Sequence, residues 1–260
     1  MLKNKIVTVA LAVSAAGSAL LAVTPATAEA APSGTRVIIT PGQSVSGVSM
    51  APAYQQMAQD LTSRGYPSTV VDVKGVDLRA DAAVIGGAVD RLAKEHPRDK
   101  IAIVTHSISG ISARWYLKEM GGHKKVDTYV AVGTAQYGSP ASCDADIAKE
   151  NCPGTSFMKK LNAGDDTPGQ TKYTGVRSAR EFATGHLDGG QCRVKPIPAT
   201  GVVPPAFEHT IEPLNPDVQK VVAETLKGKC YGRFVDEADG VLTGRNQMLP
   251  DAPYYKEHRG

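Results

Sequence analysis

Short runs of β-branched and apolar residues alternate along the chain with longer stretches whose apolar positions recur every three or four residues, which is the pattern of parallel strands joined by helices. TRVIIT at 35–40 is a buried strand stopped by Pro41-Gly42. PAYQQMAQDLTSRG at 52–65 is a helix closed by Gly65, and STVVDV at 68–73 is the next strand. Residues 77–96 carry Ala, Val, Ile and Leu on one stripe and predict a long helix ending before Pro97. KIAIVT at 100–105 is a third strand that passes without a linker into SISGISARWYLKEM, a helix halted by Gly121-Gly122. KVDTYVAVG at 125–133 is a fourth strand. TKYTGVR at 171–177 and CRVKPI at 192–197 supply two more, and PDVQKVVAETLKG at 216–228 forms a final helix.

Two segments resist this reading. Residues 134–170 are rich in Gly, Ser, Pro and Asp and too long for a simple connection, so they are expected to form a cap over a site or a loop. The tail from 229 to 260 shows no periodicity. The architecture expected is α/β, a mostly parallel sheet with helices on both faces. Such sheets place their ligands beyond the carboxyl ends of the strands, so the residues that follow each strand are the ones to inspect.

The first thirty residues change the context in which the rest is read. Lys3 and Lys5 precede a run of Ala, Val and Leu, and small residues at Ala26, Ala28 and Ala30 follow. This is the make-up of a secretory signal peptide. A transmembrane anchor is the rival, weakened by Ser14, Gly17 and Ser18 inside the apolar run. The expectation is a signal at 1–30 and one domain over 31–260, a length suited to a single large core. Cutting after Ala30 removes two lysines and one glutamate, which lowers the formal charge of +3 by one. So small a charge gives no electrostatic case for nucleic acid as a partner. Four cysteines, Cys143, Cys152, Cys192 and Cys230, suggest two disulfides in an exported chain, with Cys143–Cys152 and Cys192–Cys230 the favoured pairing among three. A zinc site fits less well, because no C-x-x-C spacing occurs and no histidine lies near them in sequence.

The candidate chemistry begins at Ser107. Strand 100–105 runs into Thr105-His106-Ser107-Ile108-Ser109-Gly110, where a serine stands at a strand-to-helix turn as it does in a nucleophile elbow. Thr105 and Ser109 replace the glycines of the strict G-x-S-x-G pattern, and Ser107 could instead be a helix cap. A serine hydroxyl needs a base, and the elbow fold brings an acid and then a histidine after the serine in chain order. His96, His106 and His123 precede or adjoin the elbow helix, and His258 lies in the tail. His209, expected in a loop before the final helix, is preferred as the base to His186. Glu181, after strand 171–177, is the expected acid; Asp188 competes with it, and Asp165 and Asp166 lie before the strand. As a solvated charge beside Arg180, Glu181 would have no such part. Backbone donors for an oxyanion contribute about 3 to 4 kcal/mol each. The amide of Ile108, at a helix amino terminus, and that of Gln43, after the Pro41-Gly42 turn, are the expected pair.

The run KIAIVTHSISGISARWYLKEMGGHKKVDTYVAVGTA resembles the elbow segment of the small Bacillus-type lipases. YTGVRSAREF is similar to that family's strand leading to its acid, and HLDGGQCRV to its Leu-Asp-Gly-Ala segment. GTAQYGSP resembles a loop of secreted actinobacterial lipases. The likeness spans about residues 35 to 228, with departures at Thr105, Ser109, Pro41 and Glu181, the last standing where an aspartate is usual. The resemblance implies the α/β-hydrolase fold and a secreted, monomeric serine hydrolase of carboxylic esters. It implies a small-molecule or lipid ester as substrate, contact with a lipid surface if that ester is a lipid, and no cofactor or metal. An acyltransferase with the same three residues, or a binding protein that keeps the fold without catalysis, are the alternatives. The polar character of 134–170, where Phe157 and Met158 are the main large apolar residues, favours an open-site esterase over a lidded lipase.

Overall fold

A computed structural model describes residues 34–44, 49–179, 186–201 and 205–241. The signal expected at 1–30 and the acid expected at Glu181 lie outside the described residues. Among the described residues seven strands form one sheet: β1 Thr35–Thr40, β2 Ser68–Val70, β3 Lys100–His106, β4 Thr128–Val132, β5 Lys172–Val176, β6 Gln191–Val194 and β7 Gly232–Val235. Their order is β2-β1-β3-β4-β5-β6-β7. Neighbours pair in parallel up to β6, and β7 closes the edge antiparallel, with Cys192 opposite Phe234.

The two-residue period of the strands sorts their side chains into two cores. Ile38, Ile101, Ile103, Tyr129 and Ala131 point to one face, and helices α2 (Leu78–Glu95) and α3 (Ser109–Glu119) cover them with Leu78, Ile85, Val89, Ile111 and Leu117. Val37, Ile39, Ala102, Val104, Val130 and Val132 point to the other face. There α1 (Gln55–Ser63) contributes Met57 and Leu61, and α6 (Pro216–Leu226) contributes Val218 and Val222. Burial on both faces is why these strands read as nearly continuous apolar runs. Local chemistry sets the helix starts. Asp77 accepts hydrogen bonds from the Arg79 and Ala80 amides at α2, and Asn215 accepts one from the Asp217 amide at α6, where Pro216 follows.

The structure differs from the sequence reading in three places. The 134–170 segment contains α4 (Ser156–Leu161), capped by Thr155. Phe157, Met158 and Leu161 are core residues rather than the rim of a lid. Phe157 stacks on Trp115 with ring centroids 4.4 Å apart, and the Arg79 guanidinium lies 4.8 Å from each ring. The tail supplies β7. His209 stands in a helix, α5 (Pro205–Ile211), and not in a loop.

Disulfides join Cys143 to Cys152 and Cys192 to Cys230. Among the described residues no helix is long and apolar enough to cross a membrane. The strand order reverses at β1, with β2 to one side and β3 to the other. This makes the crevice beyond the carboxyl ends of β1 and β3 the topological switch point of the sheet.

Candidate active site

β3 ends at His106 and α3 begins at Ser109, which leaves Ser107 to make the turn almost alone. It does so with φ +57°, a left-handed conformation that costs a non-glycine residue about 1 to 3 kcal/mol. The surroundings hold it there. The Ser107 amide donates to the Val132 carbonyl at 2.9 Å, and the Ser107 carbonyl accepts from Thr134 Oγ1 at 2.8 Å and from the Gly110 amide at 3.1 Å. A Cβ on Gly110 would lie 2.4 Å from Thr134 Oγ1, so the first turn of α3 can approach the end of β4 only through a glycine.

The two departures from the glycine pattern have a structural account. Thr105 is a strand residue paired with Thr40 of β1. Ser109 is fully buried, and its Oγ lies 3.1 Å from the Thr40 carbonyl and 2.9 Å from that of His106, where it tethers the elbow to the end of β1. A side chain that hydrogen-bonds inward occupies the space a glycine would leave empty.

α5 brings the candidate base to the candidate nucleophile. His209 Nε2 is 2.8 Å from Ser107 Oγ, within hydrogen-bond reach of the hydroxyl. Glu212, buried in the turn after α5, was missed from sequence because His209 was placed in a loop. In helical register it lies three residues on and faces the same way. A carboxylate oxygen of Glu212 and ring nitrogens of His106 and His209 all lie within 4.8 Å of one another, and Glu212 Oε1 accepts from the Ser178 amide at the end of β5. Such a trio has the donor types of a metal site. Both nitrogens of His106 are already engaged, however, Nδ1 with Tyr54 Oη at 2.6 Å and Nε2 with the His209 carbonyl at 2.9 Å, so coordination would break one of these bonds.

Burial, and then the nearby His209, hold the His106 ring well below the usual histidine range, which keeps it neutral; burial pushes the Tyr54 hydroxyl up to about 12. His186, the competing base, lies before β6, and burial followed by Arg193 and Arg177 lowers it to about 4. A histidine depressed in the folded state binds its proton more readily when unfolded. The stability from His106 and His186 is therefore whole above about pH 6.5 and is lost as the pH falls from there through the folded values. Melting temperature followed from neutral pH downwards is expected to decline below that point, and His186→Gln should flatten part of the decline; a curve of unchanged shape would contradict this.

The loop after β1 faces Ser107 across a cleft of about 310 Å³ lined by Gly42, Gln43, Ile108, Ala135 and Ala141 among others. Among the described residues neither the Gln43 nor the Ile108 amide donates to an acceptor. The segment Lys74-Gly75 supports this loop. Gln43 Nε2 donates to the Gly75 carbonyl at 3.0 Å and the Ser44 amide to that of Lys74 at 2.9 Å, while the buried Asp81 carboxylate receives the amides of Lys74 and Gly75. Gly75 has φ +64°, and a Cβ there would lie 2.7 Å from Ile108 Cγ2 and 2.9 Å from Gln43 Cα. Its bare backbone lets both candidate donors come close. A larger groove of about 600 Å³ beside β5, β6 and β7 is lined by Asp165, Asp236 and Glu237 and contains no serine–histidine pair.

No family model matches the chain, and no curated protein matches it in sequence. Solved structures do match. Bacillus licheniformis lipase BlEst2 in its propeptide form superposes with a TM-score of 0.54 at 15% identity over 80% of this chain and 52% of its own. The lin2722 product of Listeria innocua does so with a TM-score of 0.51 at 12% identity over 79% and 99%. Aspergillus fumigatus lipase B gives 0.44 at 16% over 55% and 37%. The chain thus spans about half the length of the Bacillus protein and about a third of the Aspergillus one. At these identities the likeness concerns the fold, which is that of the α/β-hydrolases and resembles a Bacillus-type lipase.

Proposed function

We propose that the chain is a secreted hydrolase of carboxylic esters that works through an acyl-enzyme on Ser107. The observation that carries this reading is the 2.8 Å contact between His209 Nε2 and Ser107 Oγ at a strained strand-to-helix turn. As the hydroxyl attacks the ester carbonyl, its proton passes to His209, and the carbonyl oxygen gains the charge that the Ile108 and Gln43 amides would receive. His209 then gives the proton to the departing alcohol. Water, deprotonated by the same ring, releases the acid and restores Ser107. Glu181 is proposed as the carboxylate that fixes the imidazole tautomer. The chemistry calls for no metal or organic cofactor.

The cleft bears on the substrate. Ala135, Ala141, Ser139 and Ser142 make much of its wall, and the apolar side chains of α4 are turned into the core, so the proposed substrate is a short acyl ester. Two disulfides suit an exported protein, and the chain is proposed to act as a monomer. Intact mass after exposure to a fluorophosphonate, with Ser107→Ala beside the wild type, tests the reading. One adduct on the wild type and none on the variant is expected. A folded wild type that takes no label, or equal labelling of both, would return the chain to the class of binding proteins or to another nucleophile.

A further inference from the structure

We propose that Tyr54 and His106 act as one positioning unit that holds the oxyanion loop, the nucleophile and the base in register; the inference rests on the Ser107–His209 reading. Three hydrogen bonds in series cross the site. The Gly42 amide donates to Tyr54 Oη at 2.9 Å, Tyr54 Oη lies 2.6 Å from His106 Nδ1, and His106 Nε2 lies 2.9 Å from the His209 carbonyl.

Their direction is fixed by chemistry. A carbonyl can only accept, so His106 Nε2 carries the hydrogen, and a neutral ring then presents Nδ1 as an acceptor. Tyr54 must donate to it, which leaves the phenol oxygen to receive the Gly42 amide. Each link allows one orientation, and both side chains are more than nine-tenths buried.

The anchors explain why this matters for the reaction. Gly42 precedes Gln43, a proposed oxyanion donor; His106 precedes Ser107; and the carbonyl at the far end belongs to His209 itself. The relay thus reaches each reacting group either directly or within one residue, although its members come from the loop after β1, the turn before α1, the end of β3 and α5. Packing agrees with this. A Cβ on Gly42 would fall 2.9 Å from His106 Nδ1 and 3.3 Å from Ser107 Cβ, and the His106 and His209 rings lie 4.8 Å apart between centroids. A shift of the His106 ring would therefore bear on neighbours of both the nucleophile and the base. Neither Tyr54 nor His106 is proposed to exchange a proton with the substrate.

A double-mutant cycle tests the proposal. Tyr54→Phe removes two of the three links, and His106→Gln can keep a donor near the His209 carbonyl while losing the ring acceptor for Tyr54. Each single variant is expected to lower kcat on a soluble ester by about 10- to 100-fold with KM within about twofold, and the rate of fluorophosphonate labelling should fall with kcat. The double variant should be no worse than the poorer single. Multiplying losses, a change confined to KM, or singles within twofold of wild type would overturn the inference.

If Tyr54→Phe does not fold, the imidazole nitrogen shifts of the wild type decide instead. The relay requires a neutral His106 with hydrogen on Nε2 at neutral pH, and a protonated ring or hydrogen on Nδ1 would overturn it. Labelling of wild type but not Ser107→Ala, with independent singles, would defeat the relay alone, whereas labelling that survives Ser107→Ala would defeat the reading beneath it.

Discussion

Replacing His209 by alanine is expected to lower kcat by about 10⁶-fold while leaving KM within a few-fold of wild type. In the proposed reaction the imidazole takes the hydroxyl proton as Ser107 attacks, so its loss would remove an interaction made in the transition state and leave ground-state binding largely intact. Among the described residues no other histidine is free to replace it. His106 is close, but it is 5% exposed with both nitrogens bonded, and its ring is held neutral by burial. The residual rate would come from the Gln43 and Ile108 amides and from binding alone. Steady-state kinetics on a soluble short-chain ester, with melting curves to show that the variant is folded, make the comparison. A kcat within tenfold of wild type would remove His209 from the role of base.

The second large effect concerns stability. Changing Cys192 and Cys230 together to serine is expected to cost about 4 kcal/mol, read from urea unfolding of the variant and the wild type. The bond closes a separation of 38 residues that includes α5 and α6, and it ties β6 to the segment leading into β7. Its loss frees that whole span in the unfolded chain. Cys143–Cys152 closes only nine residues, and its removal should cost less, about 3 kcal/mol or under. If the longer bond proved worth under 1 kcal/mol, the carboxy-terminal third would be held by packing alone.

The fold was legible where burial is two-sided. The strands at 35–40, 100–105 and 125–133 read clearly because both of their faces are covered. β7 was not legible, since only Val235 of its four residues is buried, and a strand with so little inside leaves no alternation to read. α4 spans six residues, fewer than two turns, inside a polar stretch. His209 was expected in a loop between the final strand and the final helix, yet a short helix, α5, opens at Pro205, a position where the missing amide hydrogen costs nothing.

The site divides in the same way. The tight turn at Ser107 could be read from the local sequence, and the candidate base His209, which the fold brings beside it, from its order in the chain. Tyr54 lies 52 residues from His106, and only the folded sheet joins them. His106 was passed over as a base because it adjoins the elbow helix ahead of Ser107, whereas the expected base follows the serine and the acid in chain order. Glu181 rests on sequence alone.

The two ends of the sheet have a consequence for the chain at high concentration. β2 is three residues long, and β7 is four, with Arg233 on its exposed stretch. A free strand edge offers unpaired amides and carbonyls to a second molecule, and shortness and charge are what blunt that offer. Phe234, 67% exposed on β7, is the weak point. Among the described residues, then, the guard against strand-to-strand aggregation is the brevity of the edges, and an apolar residue in place of Arg233 would give the edge beside Phe234 the make-up of an adhesive strand.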